Sequence, residues 1–230
     1  MILAVSAVVA STPDSAAVSL LQSQSWESLA RKYVDLEASV RSGTRTATDV
    51  YETWTEIETA LANAAPPVRD LRRGLESTDL AERTTALAAM GVARVQDDGL
   101  FRLVLRRFTQ GDADYYRKYA ARALANMSPR QVDAFGDDLV VALSQETKVM
   151  VVVAARPVLT QLSRPQALRL MSALAVGGDR VMRRVVRAMA SQREDGFLEE
   201  LLQSLERSGA SDAASDLAGH EATGAAPSHP

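Results

Sequence analysis

LRRGLESTD, which begins at Leu71, is the first of five similar segments, and their recurrence along the chain decides the fold. The segment returns as VLRRFTQGD from Val104, LVVALSQET from Leu139, LMSALAVGG from Leu170 and LLQSLERSG from Leu201, at intervals of 33, 35, 31 and 31 residues. Each copy carries an apolar pair four residues apart, which lies on one face of a helix. The pairs are Leu71/Leu75, Val104/Phe108, Leu139/Leu143, Leu170/Leu174 and Leu201/Leu205.

A second helix is predicted after each of the first four segments, beyond a short turn. Its copies read RTTALAAM, RKYAARAL, VVVAARPV and RRVVRAMA, and they start at Arg83, Arg117, Val151 and Arg183. Helix pairs this short cannot bury their apolar faces alone, so the sequence predicts an all-α array of stacked pairs over residues 66–208. The turns place a polar residue where an N-cap belongs, and these residues are Asp79, Asp112, Thr147 and Asp179.

One segment of the array gives conflicting signals. Residues 148–155, KVMVVVAA, are rich in β-branched side chains, which are typical of a buried strand. Pro157 then lies inside the expected second helix, where proline removes a backbone hydrogen bond. The repeat spacing nevertheless favours a helix with a kink, because a lone strand would have no partner elsewhere in the chain.

The repeated features resemble those of HEAT repeats. The features in common are the leucine pair of the first helix, the aspartate turn, the arginine four or five residues later and the second helix rich in small residues. The resemblance implies a right-handed α-α superhelix, a HEAT-like solenoid, and an inter-repeat ladder that breaks at Thr147 and Val151. Tetratricopeptide repeats have a similar period, but their tryptophan, Leu-Gly and tyrosine signature is missing from the first helices. The ladder implied by the resemblance uses Asp79, Arg83, Asp112, Arg117, Asp179 and Arg183.

Composition restricts the chemistry that the chain can carry. It contains no cysteine, and its two histidines, His220 and His229, lie in the C-terminal tail. Disulfides and thiolate chemistry are therefore excluded, and a zinc site, a catalytic triad or a histidine general base is not expected in the folded part. The acidic pairs at 97–98 and 137–138 precede predicted helices, where capping explains them. We predict no catalytic residue, no metal and no cofactor.

Charge is unevenly distributed along the chain. Between Val68 and Arg193 there are 21 Lys and Arg against 13 Asp and Glu, whereas residues 194–230 contain 1 basic and 8 acidic residues. Stacking is expected to set arginines in rows, with Arg122 and Arg156 at matching positions of two second helices. Rows of guanidinium groups can bind carboxylates or phosphates. The candidate partner-binding residues are Arg72, Arg73, Arg106, Arg107, Arg122 and Arg156.

These features predict a non-catalytic scaffold that binds a protein or peptide, including an anionic one. The alternative is a nucleic-acid-binding array that uses the basic rows, since phosphate contacts need only well-placed cations. Some DNA glycosylases have HEAT-like folds, which makes a glycosylase-like enzyme a further form of that alternative. Their aspartate with aromatic walls has no counterpart here, because Trp26 and Trp54 both lie before the array.

The flanking segments have their own predictions. Residues 1–10, MILAVSAVVA, resemble the apolar region of a secretory signal, although no Lys or Arg precedes them. This run is too short for a stable membrane span, which needs roughly 20 residues. The protein is expected to be periplasmic or secreted if the segment is a signal, and otherwise cytoplasmic. Residues 11–23 are interpreted as a linker, 24–65 as a helical hairpin capped by Ser25 and by Thr46 or Thr48, and 209–230 as a disordered acidic tail.

Overall fold

The computed structural model describes residues 24–108 and 113–219, and these form twelve α-helices and no strand. The prediction of an all-α chain is confirmed for this part of the sequence. None of its helices is both long and apolar enough to cross a membrane. The predicted signal-like segment and linker, 1–10 and 11–23, lie outside the described residues. The helices are α1 (Trp26–Arg41), α2 (Ala47–Asn63), α3 (Val68–Glu76), α4 (Leu80–Val92), α5 (Asp98–Phe108), α6 (Asp114–Leu124), α7 (Pro129–Leu143), α8 (Val149–Leu159), α9 (Arg164–Gly177), α10 (Arg180–Ala190), α11 (Phe197–Arg207) and α12 (Ser211–Ala218).

The first two helices form a hairpin whose ends are set by side-chain caps. Ser25 accepts a hydrogen bond from the backbone N–H of Ser28, as predicted. Thr46, rather than Thr48, begins α2 and forms a reciprocal capping box with Asp49. Helices α1 and α2 pack against each other, and both also pack against α4. The hairpin is thus fixed to the start of the repeated region.

The repeated region forms two rows of helices. The first-helix row contains α3, α5, α7, α9 and α11, and each of these packs against the next one in the row. The second-helix row contains α4, α6, α8, α10 and α12, which also pack in series. All of the predicted first-helix apolar pairs are buried between the rows, with Leu71 and Leu75 at the beginning and Leu201 and Leu205 at the end. The periodic leucines therefore mark the core.

The caps of the second helices agree with the sequence at two of the four turns. Asp79 and Asp179 are N-caps and accept hydrogen bonds from Ala81 and Met182 respectively. Asp112 lies outside the described residues, and Ala113 is the N-cap of α6. The prediction for Thr147 is wrong, because the N-cap of α8 is the next residue, Lys148.

Helix α8 settles the conflict between strand and helix in the KVMVVVAA segment. The chain is helical from Val149 to Leu159 and continues through Pro157. Val151, Val152 and Ala155 are buried in the core on one side of this helix. Packing against α6 and α10 therefore outweighs the weak strand preference of the β-branched residues.

The prediction of a disordered tail from residue 209 is wrong for residues 211–218, which form α12. Low hydrophobicity suggested disorder, but the few apolar residues all fall on one helical face. Ala213, Ala214 and Leu217 are buried where α12 packs against α10 and α11. Asp216 adds an ion pair of 2.6 Å with Arg183 of α10. Residues 220–230 lie outside the described residues.

Candidate functional site

Helix α1 lies across the second-helix row and is antiparallel to α6. Three contacts between the two helices show the direction. Tyr33 of α1 meets Arg122 near the end of α6, Glu37 meets Tyr119, and Arg41 lies 4.9 Å over the ring of Tyr115. Residue numbers rise along α1 as they fall along α6. The hairpin therefore covers part of the row that a free array would expose.

A buried polar network holds this contact. Glu37 accepts a hydrogen bond of 2.6 Å from the Tyr119 hydroxyl and also pairs with Lys118. Tyr33 donates to Glu58 of α2 at 3.1 Å. Burial raises the pKa of both Tyr33 and Tyr119 well above the ordinary tyrosine range, and for Tyr119 the neighbouring Glu37 charge adds to the effect. Both hydroxyls therefore act as neutral hydrogen-bond donors.

Arg122 completes the network from the other side. Its guanidinium pairs with Glu58 at 2.7 Å, donates a hydrogen bond to the Tyr33 hydroxyl and lies 5.2 Å over the Tyr33 ring. Three of the network residues, Glu37, Glu58 and Lys118, were not singled out by sequence reasoning. No local pattern links them, because the partners lie far apart in the chain.

The positions that meet the hairpin recur on the first four helices of the second-helix row. Counted from each N-cap, they are the second, fifth, sixth and ninth residues, and we call them the hairpin-facing positions. In α6 they include Lys118, Tyr119 and Arg122, which carry the contacts just described. They are Ala81, Thr84, Thr85 and Ala88 in α4; Tyr115, Lys118, Tyr119 and Arg122 in α6; Met150, Val153, Ala154 and Pro157 in α8; and Val181, Arg184, Val185 and Ala188 in α10.

Three of the four positions are covered in α4, and three of the four are exposed in each of α8 and α10. In α4, Thr84, Thr85 and Ala88 are buried. In α8, by contrast, Met150 is 48% exposed and Val153 is 50% exposed, and Val181 of α10 is 54% exposed. An apolar surface left in water is a common mark of an interaction site. We call Met150, Val153, Pro157, Val181 and Arg184 the α8–α10 stripe.

A groove joins the stripe to the hairpin. It is open, has a volume of about 1130 Å³, and runs between α2 and the ends of α4, α6 and α8. Its lining includes Val153 and Pro157 of α8 and Glu58 and Thr59 of α2. Lys118 and Arg122 also line it but are already paired with carboxylates of the hairpin. The apolar wall formed by Val153 and Pro157 is therefore the part that remains available to a partner.

The candidate binding arginines do not form one continuous row. Arg72 and Arg73 lie near Asp97 and Asp70, at 3.7 and 3.6 Å, and are exposed on α3. Arg106 is exposed on α5, and Arg107 beside it is half-buried. These four belong to the first-helix row, on a different set of helices from the stripe.

The expected match between Arg122 and Arg156 is wrong. Arg122 is the ninth residue after its N-cap Ala113, whereas Arg156 is the eighth after Lys148, so they point in different directions. Arg122 lies against the hairpin, and Arg156 is exposed and donates a hydrogen bond to Gln192. The mistake arose from matching Val151 with Arg117, 34 residues earlier, whereas the N-caps of α8 and α6 are 35 residues apart.

The ladder residues have other partners than those expected from the resemblance. Asp79 and Asp179 cap their own helices. Arg83 donates to the carbonyls of Ser77 and Thr78 in the preceding turn. Asp112, the remaining ladder aspartate, is outside the described residues.

Two of the ladder arginines instead bind carboxylates further along the chain. Arg117 pairs with Glu146 at 2.8 Å, and Arg183 pairs with Asp216 at 2.6 Å. The hydrogen bond from Glu146 raises the pKa of Arg117. Glu146 also accepts hydrogen bonds from the backbone N–H groups of Thr147 and Lys148, so one buried carboxylate joins α6 to the start of α8. A glutamate in a turn carries no sequence signal that would have identified this role.

Comparison of the chain with family models, curated proteins and solved structures gave no match. Within the described ranges, His, Cys, Asp and Glu side chains form no group of three or more that could hold a metal.

Proposed function

We propose that this chain is a non-catalytic scaffold that binds a segment of another protein on its α8–α10 stripe. The observation that carries the proposal is the exposure of Val153, at a position whose counterparts in α4 and α6 are covered by the hairpin. Water contact with Met150 and Val153 is unfavourable by roughly 25 cal/mol per Å² of apolar surface, and a docked partner would remove it. The serial packing of helix pairs supports a HEAT-like right-handed superhelix as the framework.

A charge substitution on the stripe tests this function. Val153→Glu places a carboxylate in the apolar wall, while Val141→Glu makes the same change at a 68% exposed valine of α7 in the other row. Tagged full-length wild type and both variants are used for affinity capture from native extract, with circular dichroism to show that each is folded. We expect a specific protein to be retained by wild type and Val141→Glu and lost from Val153→Glu. Equal recovery by all three would contradict the proposal.

Nucleic-acid binding is a second candidate, and the arginines of the first-helix row favour it. The side chains of Arg69 and Arg73 on α3 are strongly exposed, and Arg102 and Arg106 follow on α5. The next helix, α7, places Asp133, Asp137 and Asp138 in the same row, which interrupts the positive surface. Duplex DNA binding by the full chain that weakens with salt and with Arg73→Glu/Arg106→Glu would favour this candidate.

Export is a separate proposal that rests on residues 1–10. The apolar run MILAVSAVVA supports a secretory signal. Mass spectrometry of the native N-terminus tests it directly. Cleavage near Ala10 is the expected result, and an intact N-terminus at Met1 in the mature protein would count against export.

A further inference from the structure

We propose that the segment bound by the α8–α10 stripe is an acidic amphipathic helix that lies antiparallel to α8. This inference rests on the proposed function and specifies its partner. Three features of the structure support it: the way α1 docks on α4 and α6, the spacing of the exposed residues on α8, and the charge of α8 and α10.

The chain already contains one helix docked at the hairpin-facing positions. Helix α1 presents Tyr33, Glu37 and Arg41, spaced four residues apart, to α6. That spacing follows one face of a helix. Helix α1 packs on α4, and these three side chains reach across to α6. Since α4, α6, α8 and α10 pack in series, the surface of α8 beside α10 corresponds to the surface of α4 beside α6. A helix that lies on α8 and reaches α10, as α1 lies on α4 and reaches α6, would run antiparallel to α8.

The exposed residues of α8 suit such a helix. Met150, Val153 and Pro157 are spaced three and four residues apart and form a continuous apolar line along α8. Helix-in-groove recognition uses apolar anchors at the same spacing on the partner. The groove between Val153 and α2 is open, so a helix has access to the line from solvent.

The positive charge of α8 and α10 indicates that the polar side of the partner is negatively charged. Within their bounds, α8 and α10 contain Arg156, Arg180, Arg184 and Arg187, besides Arg183, which already pairs with Asp216, and no Asp or Glu. Arg184 is exposed, and none of the described residues forms an ion pair or hydrogen bond with it. A partner that carries carboxylates beside its apolar face is complementary to this surface.

One position shows where a partner carboxylate belongs. Lys118 is the fifth residue after the N-cap of α6, and Glu37 of the docked helix pairs with it. Arg184 is the fifth residue after the N-cap of α10, so it occupies the equivalent position without a carboxylate opposite. The docked helix is therefore expected to place an Asp or Glu against Arg184, as α1 places Glu37 against Lys118.

The experiment uses two designed helical peptides of about 14 residues, roughly four turns. Both carry leucines at positions i, i+3, i+4 and i+7, and they differ only in having Glu or Lys beside the leucines. Fluorescence anisotropy measures binding of each labelled peptide to the full chain and to its Val153→Glu, Arg184→Glu and Val141→Glu variants. A duplex DNA and vesicles of anionic phospholipid are the probes for other partner classes.

We expect the Glu peptide to bind wild type at least about tenfold more tightly than the Lys peptide. Val153→Glu should weaken binding of the Glu peptide by at least about tenfold, as for loss of an interface anchor, and Val141→Glu should leave it unchanged. Arg184→Glu should weaken the Glu peptide and strengthen the Lys peptide. That reversal assigns the charge preference to Arg184, because a general loss of folding would weaken both.

The results also separate this inference from the proposed function. Equal or tighter binding of the Lys peptide, with sensitivity to Val153→Glu, would overturn the acidic partner but leave the stripe as a binding site. Failure of both peptides to bind would refute the inference that a helix docks on the stripe. The affinity capture with Val153→Glu would then test the scaffold function separately. Arg184-dependent binding to DNA or vesicles without peptide binding would assign the stripe to a different class of partner and refute the inference.

Discussion

The carboxylate of Glu37 in α1 accepts a hydrogen bond of 2.6 Å from the hydroxyl of Tyr119 in α6, a residue 82 positions later in the chain. Glu37 is buried and also pairs with Lys118. We expect Glu37→Ala to lower the free energy of unfolding by about 2 kcal/mol, because it leaves the buried Tyr119 hydroxyl without an acceptor. Urea unfolding followed by circular dichroism measures the change.

Glu37→Gln and Glu52→Ala are the matched controls. The amide oxygen of Gln still accepts from Tyr119, so Glu37→Gln should cost less than Glu37→Ala. Glu52 is exposed on α2, and its removal should change the free energy of unfolding by no more than about 0.5 kcal/mol. Equal stability of Glu37→Ala and Glu52→Ala would mean that the network does not stabilise the hairpin contact.

The start of α8 provides a second prediction. The Glu146 side chain is only 3% exposed and accepts from Arg117 and from two backbone N–H groups. Glu146→Ala should cost about 2–3 kcal/mol, since it removes a charged hydrogen bond and leaves the N–H groups of Thr147 and Lys148, just before α8, without their acceptor. Thr147→Ala should be neutral within about 0.5 kcal/mol, because Thr147 is not the N-cap. Thermal and urea unfolding compare the two, and the reverse order of stability would restore Thr147 as the cap.

Two neighbouring glycines at the end of α9 provide a third prediction. A Cβ added to Gly178 would lie 2.5 Å from the carbonyl oxygen of Leu174 and 2.5 Å from Cγ of Met182. Gly178→Ala should therefore cost about 2 kcal/mol through steric overlap. A Cβ on Gly177 has nothing within 4 Å, and Gly177→Ala should stabilise the protein by about 0.5 kcal/mol by restricting the unfolded chain. Differential scanning calorimetry would disprove this account if both variants melted at the same temperature.

The buried tyrosines predict sensitivity to alkaline pH. Burial raises the pKa of Tyr33 and Tyr119 in the folded chain, while a tyrosine in the unfolded chain has a pKa of about 10. Above that pH the unfolded chain loses these protons and the folded chain keeps them. The stability that these two tyrosines contribute is therefore fully present below about pH 10, and it falls as the pH rises toward their pKa values in the folded chain.

Urea unfolding between pH 8 and about pH 11 measures this loss, in the range where the unfolded tyrosines ionise. The double variant Tyr33→Phe/Tyr119→Phe should be less stable at neutral pH but should lose less additional stability above about pH 10. Tyr51→Phe, at an exposed tyrosine of α2, should keep the wild-type slope. A slope that is the same in all three proteins would place the alkaline transition elsewhere.

The sequence predicted the local and repeated features of the fold and missed the distant ones. The apolar pairs identified the first helices because burial of Leu71/Leu75 and its counterparts imposes the same spacing in every unit. The contact of α1 with α6 could not be predicted, since nothing in the residues around Glu37 specifies Lys118 or Tyr119 as partners. The register of α8 was misjudged by one residue, because Val151 was matched with Arg117 at a spacing of 34, whereas the N-caps of α6 and α8 are 35 residues apart.

The position of the hairpin has a consequence for synthesis on the ribosome. Helices α1 and α2 cannot complete their contacts until α6, whose Tyr119 follows Glu37 by 82 residues, has been made. At about 5–20 residues per second, translation of that interval takes about 4–16 s. Until first α4 and then α6 have been made, the apolar side of α1, with Leu29, Ala30 and Tyr33, lacks these neighbours. The nascent hairpin therefore exposes to cotranslational chaperones an apolar surface that the completed array covers.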